Sequence, residues 1–281
     1  MRYLILLAAV AAASTAQNQR PPLRVPESVE VRPGLVYASP GAHDLHLDLY
    51  LPKSGAGPFP AVVYVHGGGW RGGNRNQFAR HAAHMATLGF AGATIQYRLS
   101  GQAKYPAAFE DVQAAVRWLR KNAAEYRIDP GRIGAAGGSA GGHLVALLGT
   151  RADPEARVQA VAAFNPVLDF VSLGPKSASK AEGAISSFLG AAYSERPDLW
   201  KEASPIEHIS KQTAPMLLLH GTADATVPYS QSEDMLKRLR AAKVPAELFT
   251  APGAGHGFFN SEPHFQPALK RMEDFFRARL K

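Results

Sequence analysis

Ile133-Gly-Ala-Ala-Gly137-Gly138-Ser139-Ala140-Gly141-Gly-His-Leu-Val-Ala-Leu147 places one serine between a short apolar run and a helix-forming one. The spacing predicts a strand over 133–136, a sharp turn over 137–141 and a helix over 140–149. Larger side chains would collide with the neighbouring strand or helix at such a turn, which accounts for the small residues flanking the serine. The turn lifts the Ser139 hydroxyl above the sheet. It also leaves the Ala140 N–H at the positive start of a helix, facing any negative charge that develops beside the serine. Ser139 is the candidate nucleophile; a bland Gly/Ser turn is the competing reading of the motif taken alone.

Outward from this turn the pattern alternates. Strand-like runs cover 29–37, 45–51, 61–65, 91–97, 158–164, 216–219 and 246–249, which with 133–136 makes eight. Helical stripes cover about 76–88, 109–124, 230–242 and 264–280. Ala61-Val-Val-Tyr-Val65 is continuously apolar, as a strand covered on both faces must be. The sequence therefore predicts an α/β domain with a mostly parallel eight-stranded sheet and helices on both faces. In the second run His46, Asp48 and Tyr50 alternate with leucines, which predicts a wetter face at an antiparallel edge. Residues 166–208 are less regular and are expected to form a short cap insertion, with a helix around Lys180 to Leu189.

Three further loops supply chemistry. His66-Gly67-Gly68-Gly69-Trp70 follows the buried run 61–65, and three glycines in a row are entropically costly for a mere turn. The N–H groups of Gly68 and Gly69, with that of Ala140, form the candidate oxyanion hole. His66 is expected to brace the loop through its ring. Trp70 is a candidate wall of the substrate pocket, with packing beneath the loop as the alternative, and Asn165 joins it as a pocket candidate. A serine needs a base and the base an orienting acid, in the chain order Ser, Asp, His. Leu217-Leu-Leu-His220-Gly-Thr-Ala-Asp224 presents Asp224 after a buried strand, and Gly253-Ala-Gly-His256-Gly257 puts His256 in a glycine-rich loop. Asp234 and Glu233 read as solvent-facing, His220 as a brace, His143 as a helix residue. His81, His84, His208 and His264 have ordinary helix or surface readings. No metal ligand set with a third member is present, and the glycines lack the Lys-Ser/Thr of a phosphate loop. No cofactor is expected.

The 281 residues include no cysteine and carry a net charge of 31 − 23 = +8, scattered without runs. No nucleic-acid module is present. The basic surface suits either solubility alone or an anionic polymer. Arg2, the apolar run Leu4 to Ala13 and small residues at 13–16 predict a signal peptide over 1–16, cut after Ala13 or Ala16. A flexible arm over 17–28, rich in proline, and a catalytic domain over 29–281 follow. The expected location is secreted or periplasmic, with no membrane span. Nothing in the sequence sets the oligomeric state.

With these motifs assembled, residues 29–281 resemble the α/β-hydrolase superfamily. More narrowly the chain is similar to the hormone-sensitive-lipase-type esterases and their bacterial feruloyl and acetyl xylan esterase relatives. Tyr97-Arg98-Leu99, Pro106-Ala107 with Asp111, and Asp129-Pro-Gly-Arg-Ile133 match that group, in which Arg98 and Asp111 are structural and Asp129-Pro130 turns the chain into the nucleophile strand. Ser139-Ala-Gly-Gly-His-Leu144 is similar to the carbohydrate-esterase branch. The lipase-like relatives carry Asp where this chain has Gly138, which favours the cell-wall branch. The resemblance implies hydrolysis of acetyl or feruloyl esters on plant polysaccharide through an acyl-Ser139 intermediate. A generic short-chain carboxylesterase is the alternative, with an arylformamidase-like amide hydrolase behind it because its loop resembles His66–Trp70.

Overall fold

The computed structural model of the chain describes residues 23–174 and 181–281; the expected signal peptide and the first half of the arm lie outside them. Eight strands form one sheet: β1 (Val29–Ala38), β2 (Leu45–Pro52), β3 (Phe59–Val65), β4 (Ala91–Ile95), β5 (Ile128–Gly138), β6 (Ala160–Phe164), β7 (Met216–Gly221) and β8 (Ala246–Ala251). Their order is β1-β2-β4-β3-β5-β6-β7-β8. β2 runs antiparallel to β1 and β4, and all pairings from β4 to β8 are parallel. This is the expected mostly parallel sheet of the α/β-hydrolase fold.

Among the described residues seven α-helices accompany it: α1 (Ala79–Thr87), α2 (Ala107–Lys121), α3 (Ala140–Arg151), α4 (Glu182–Leu189), α5 (Pro197–Glu202), α6 (Ser230–Ala241) and α7 (Phe265–Leu280). The apolar run of β3 divides by its two-residue period. Ala61, Val63 and Val65 join a core with α2, α3 and α6, while Val62 and Tyr64 join one with α1 and α7. Both faces are thus sealed, and each fully buried Val adds about 1.5–3 kcal/mol relative to exposure. The α2 stripe at Val112, Ala115, Val116 and Leu119 is wholly buried, as its spacing predicts. Helices α4 and α5 lie within the expected cap, where Trp200 packs edge-on against Phe170.

Two expectations are corrected. β2 is not a wet edge: it lies between β1 and β4, with Asp48 and Tyr50 almost fully buried. Asp48 accepts from Arg75 Nε at 2.7 Å and from the Gly34 N–H at 2.7 Å, so its burial is compensated by a cation and an amide. The nucleophile strand begins at Ile128, five residues earlier than periodicity indicates. Phe59 pairs Ile128 and Ala61 pairs Ile133, so residues 129–132 bulge between them, held by Asp129 accepting from Gly131 N–H and Arg132 Nε. Arg98 and Asp111 do form a structural pair, with Arg98 Nε and its terminal nitrogen both donating to the carboxylate.

Candidate active site

The carboxyl ends of β3, β5, β6, β7 and β8 point to one edge of the sheet, and every predicted site residue follows one of them. Crevices at such strand ends are where open α/β sheets bind ligands.

Ser139 leaves β5 at φ 55°, ψ −119°, a left-handed conformation that costs a non-glycine residue about 1–2 kcal/mol. The surroundings enforce it. A Cβ on Gly141 would stand 2.2 Å from the Val65 carbonyl oxygen, so only glycine lets α3 start this close to β3. The serine N–H donates to the Phe164 carbonyl at 2.9 Å and its own carbonyl accepts from His143 N–H.

The hydroxyl meets His256 Nε2 at 2.9 Å, and Nδ1 meets Asp224 Oδ2 at 2.7 Å. Asp224 Oδ1 accepts from the amides of Thr226 and Val227 at 2.8 and 2.9 Å. His220 Nε2 lies 3.3 Å from Oδ2 and 3.0 Å from the Val227 carbonyl, while its Nδ1 meets the Ser232 hydroxyl. Burial by itself would push the Asp224 carboxyl up. The bonds from His220, His256 and Val227 outweigh it and hold the acid far below the usual carboxylate range. Asp224 is therefore an anion that fixes His256 with its proton on Nδ1, leaving Nε2 to accept from serine.

The glycine loop is held open on its inner side. Gly68 has φ 121° and no room for a Cβ, which would stand 2.2 Å from the Gly72 oxygen. Gln77 Oε1 accepts from Gly67 N–H at 2.6 Å, and the His66 ring bonds the Gly67 carbonyl and stacks on Tyr97. His66 is thus the expected brace. Among the described residues, the N–H groups of Gly68, Gly69 and Ala140 have no acceptor.

Trp70 is only 2% exposed, stacked on Phe188 and bonded through Nε1 to His143 Nδ1 at 3.3 Å. It borders the cleft but acts mainly by packing beneath the loop. His143 in turn donates from Nε2 to the Ala203 carbonyl at 2.8 Å. Burial holds the His66 ring down to about 4 and the His143 ring down to about 3. In the unfolded chain both rings take up protons near pH 6.5. Between that pH and about 4 the unfolded state binds more protons, so stability is lost as pH falls, by on the order of 3 kcal/mol per ring. Denaturant unfolding at pH 7 and pH 4.5 measures this loss, which should shrink in His143→Gln.

Asn165, expected in the pocket, has a closer engagement that sequence reasoning missed. Its φ is 36°, it is wholly buried, and its Nδ2 lies 2.9 and 3.1 Å from the two His256 nitrogens. Near-equal distances set the amide against the ring face instead of at either lone pair. Asn165→Ala should lower kcat about tenfold by loosening the ring, with KM nearly unchanged; equal loss in both parameters would contradict that. Gly138 also has a local reason: a Cβ there would stand 2.5 Å from the Phe259 ring, which occupies the space.

The serine opens into a cleft of about 420 Å³, bordered by Val167, Ala181, Ala184, Val227, Gln77 and Arg71 among others. A larger hollow of about 470 Å³ beside α1 and α7 holds no nucleophile–base pair. Among the described residues there is no cluster fit to hold a metal, and no helix long and apolar enough to cross a membrane.

A serine on a strand–helix turn, with its base and acid in line, is the catalytic arrangement of serine carboxylic ester hydrolases, here on an α/β-hydrolase fold. The family model described as BD-FAE matches residues 47–239, and the chain belongs to that family. Esterase LipC of Mycobacterium tuberculosis is 30% identical over 72% of this chain and 53% of its own length. The chain spans about half the length of the curated relatives it matches. A truncated carbohydrate esterase from gut microbiota superposes with a TM-score of 0.79 at 28% identity, covering 90% of this chain and 97% of that one. A thermophilic esterase of the planctomycete Thermogutta terrifontis, solved with butyrate bound, gives 0.77 at 31% identity over 90% and 94%.

Proposed function

We propose that this protein is a short-chain carboxylesterase that removes small acyl groups, acetyl foremost, from hydroxylated alcohols of the carbohydrate type. The observation that carries the reading is the bonded Ser139–His256–Asp224 line at the base of a cleft with one wall of small apolar side chains. His256 takes the serine proton as Oγ attacks the ester carbonyl. The oxyanion is held by the N–H groups of Gly68, Gly69 and Ala140, each typically worth about 3 kcal/mol in the transition state. His256 then protonates the departing alcohol, and the water it activates frees the acyl group from Ser139. Butyrate in the Thermogutta esterase and the carbohydrate esterase name of the gut protein support the acyl size and the alcohol class. The amino-terminal run Arg2 to Ala16 supports export, so the site of action we propose is outside the cytoplasm.

The test is a series of nitrophenyl esters from acetate to decanoate, beside acetate and ferulate release from xylan fragments. A kcat/KM maximum at two to four carbons, falling at least tenfold by ten carbons, is expected. Activity confined to long chains would overturn the reading, and ferulate release outrunning acetate release would move it to the hydroxycinnamoyl branch.

A further inference from the structure

The two sides of the cleft come from opposite faces of the sheet, and their chemistry differs. Val167 and Val227 stand on the side of the core that contains α3 and α6, with Ala181 and Ala184 added by the cap. This side is small and apolar and suits an acyl chain. Opposite it, Gln77 lies on the 3₁₀ turn leading into α1, and Asn260 on the 3₁₀ turn leading into α7. Those two helices share the other core, and Arg80 of α1 reaches the Asn260 carbonyl. Arg71 also borders the cleft, directly after the glycine loop, with its backbone held by its N–H donating to the Gly68 carbonyl at 3.1 Å.

Asn260 spends its Nδ2 on the Gly257 carbonyl and presents an acceptor, whereas Gln77 and Arg71 present donors. Gln77 spends its oxygen on the Gly67 N–H, so its Nε2 remains. The exposed Arg71 guanidinium has no acceptor and no ion-pair partner among the described residues. Among the described residues no carboxylate borders the cleft, and apart from the catalytic imidazole Arg71 is the one ionisable side chain there. An arginine left unpaired beside a site, with five N–H donors in a plane, matches a carboxylate better than it matches a hydroxyl.

We propose that Arg71, assisted by Gln77, is a specificity residue for esters whose alcohol part carries a carboxylate, in a carbohydrate a uronic acid. The proposal rests on the esterase reading above and narrows its alcohol. It gives the net charge of +8 a role beyond solubility, since a basic protein concentrates anionic polymer at its surface.

Mono-acetylated methyl glucuronoside and mono-acetylated methyl glucoside, differing only in the carboxylate, separate the two claims. The unmodified enzyme should favour the acid in kcat/KM by about five- to tenfold at low salt, the excess residing in KM and shrinking as sodium chloride is raised to 0.5 M. Arg71→Gln should bring the acid-to-neutral ratio to about one, and Arg71→Lys should retain part of it; thermal unfolding of each variant confirms the fold. A ratio near one in the unmodified enzyme, or a ratio that Arg71→Gln leaves intact, overturns the inference while the esterase reading stands. Failure to cleave either acetyl sugar, with simple nitrophenyl acetate still turned over, removes the carbohydrate alcohol and the inference together.

Discussion

Ser139→Ala should lower kcat for nitrophenyl acetate roughly a million-fold while the thermal midpoint moves by no more than about 2 °C. The expectation follows from how little else the hydroxyl does. Among the described residues its one hydrogen bond is to His256 Nε2 at 2.9 Å, and the turn is held by the backbone bonds to Phe164 and from His143 N–H, which alanine keeps. Removing the oxygen takes away the atom that becomes acylated, so binding and the oxyanion donors alone remain, a residue of catalysis some 10³–10⁴ above water. An alanine variant with full turnover would show that another group is acylated.

Asp224→Asn should lower kcat about ten-thousand-fold with only a modest change in KM. The geometry forces the amide to sit the wrong way round. Oδ1 receives two backbone N–H groups, from Thr226 and Val227, so the amide oxygen must occupy that position. The NH2 group then faces His256 Nδ1, which accepts instead of donating. The ring proton moves to Nε2 and points at Ser139, where no proton can be taken. His220 Nε2, 3.3 Å from the same Oδ2, loses that acceptor and keeps the Val227 carbonyl at 3.0 Å, so the variant should be less stable by about 0.5–1.5 kcal/mol. Asp224→Ala leaves the imidazole free to choose its tautomer, and higher activity in alanine than in asparagine would be the signature of this mechanism. Asparagine with near-native kcat would contradict it.

The parts of the site that sequence made legible are those written in local pattern. Gly137 to Gly141, His66 to Trp70, Asp224 and His256 each lie at the end of an apolar run, and the fold brings all four segments to the same sheet edge because parallel strands share a carboxyl end. What escaped was set by partners distant in the chain. Alternation in β2 signals a wet face, but Asp48 is paired with Arg75, 27 residues on, and buried. The position of β4 between β2 and β3 is a crossover that no periodicity records. Asn165 reads as one polar residue after a strand. Only the 91-residue return of the chain to His256 gives it a ring to hold. Gly138, a departure from the lipase-like pattern, is explained by Phe259 from the far end of the chain.

The most direct measurement is covalent labelling with a fluorophosphonate ester, followed by intact mass and peptide mapping of the full protein. One equivalent of label should appear on the peptide bearing Ser139, in step with loss of esterase activity. Labelling should slow by several orders of magnitude in His256→Ala and vanish in Ser139→Ala. Label on a different residue, or an enzyme left fully active after Ser139 is modified, would contradict acyl transfer at this serine.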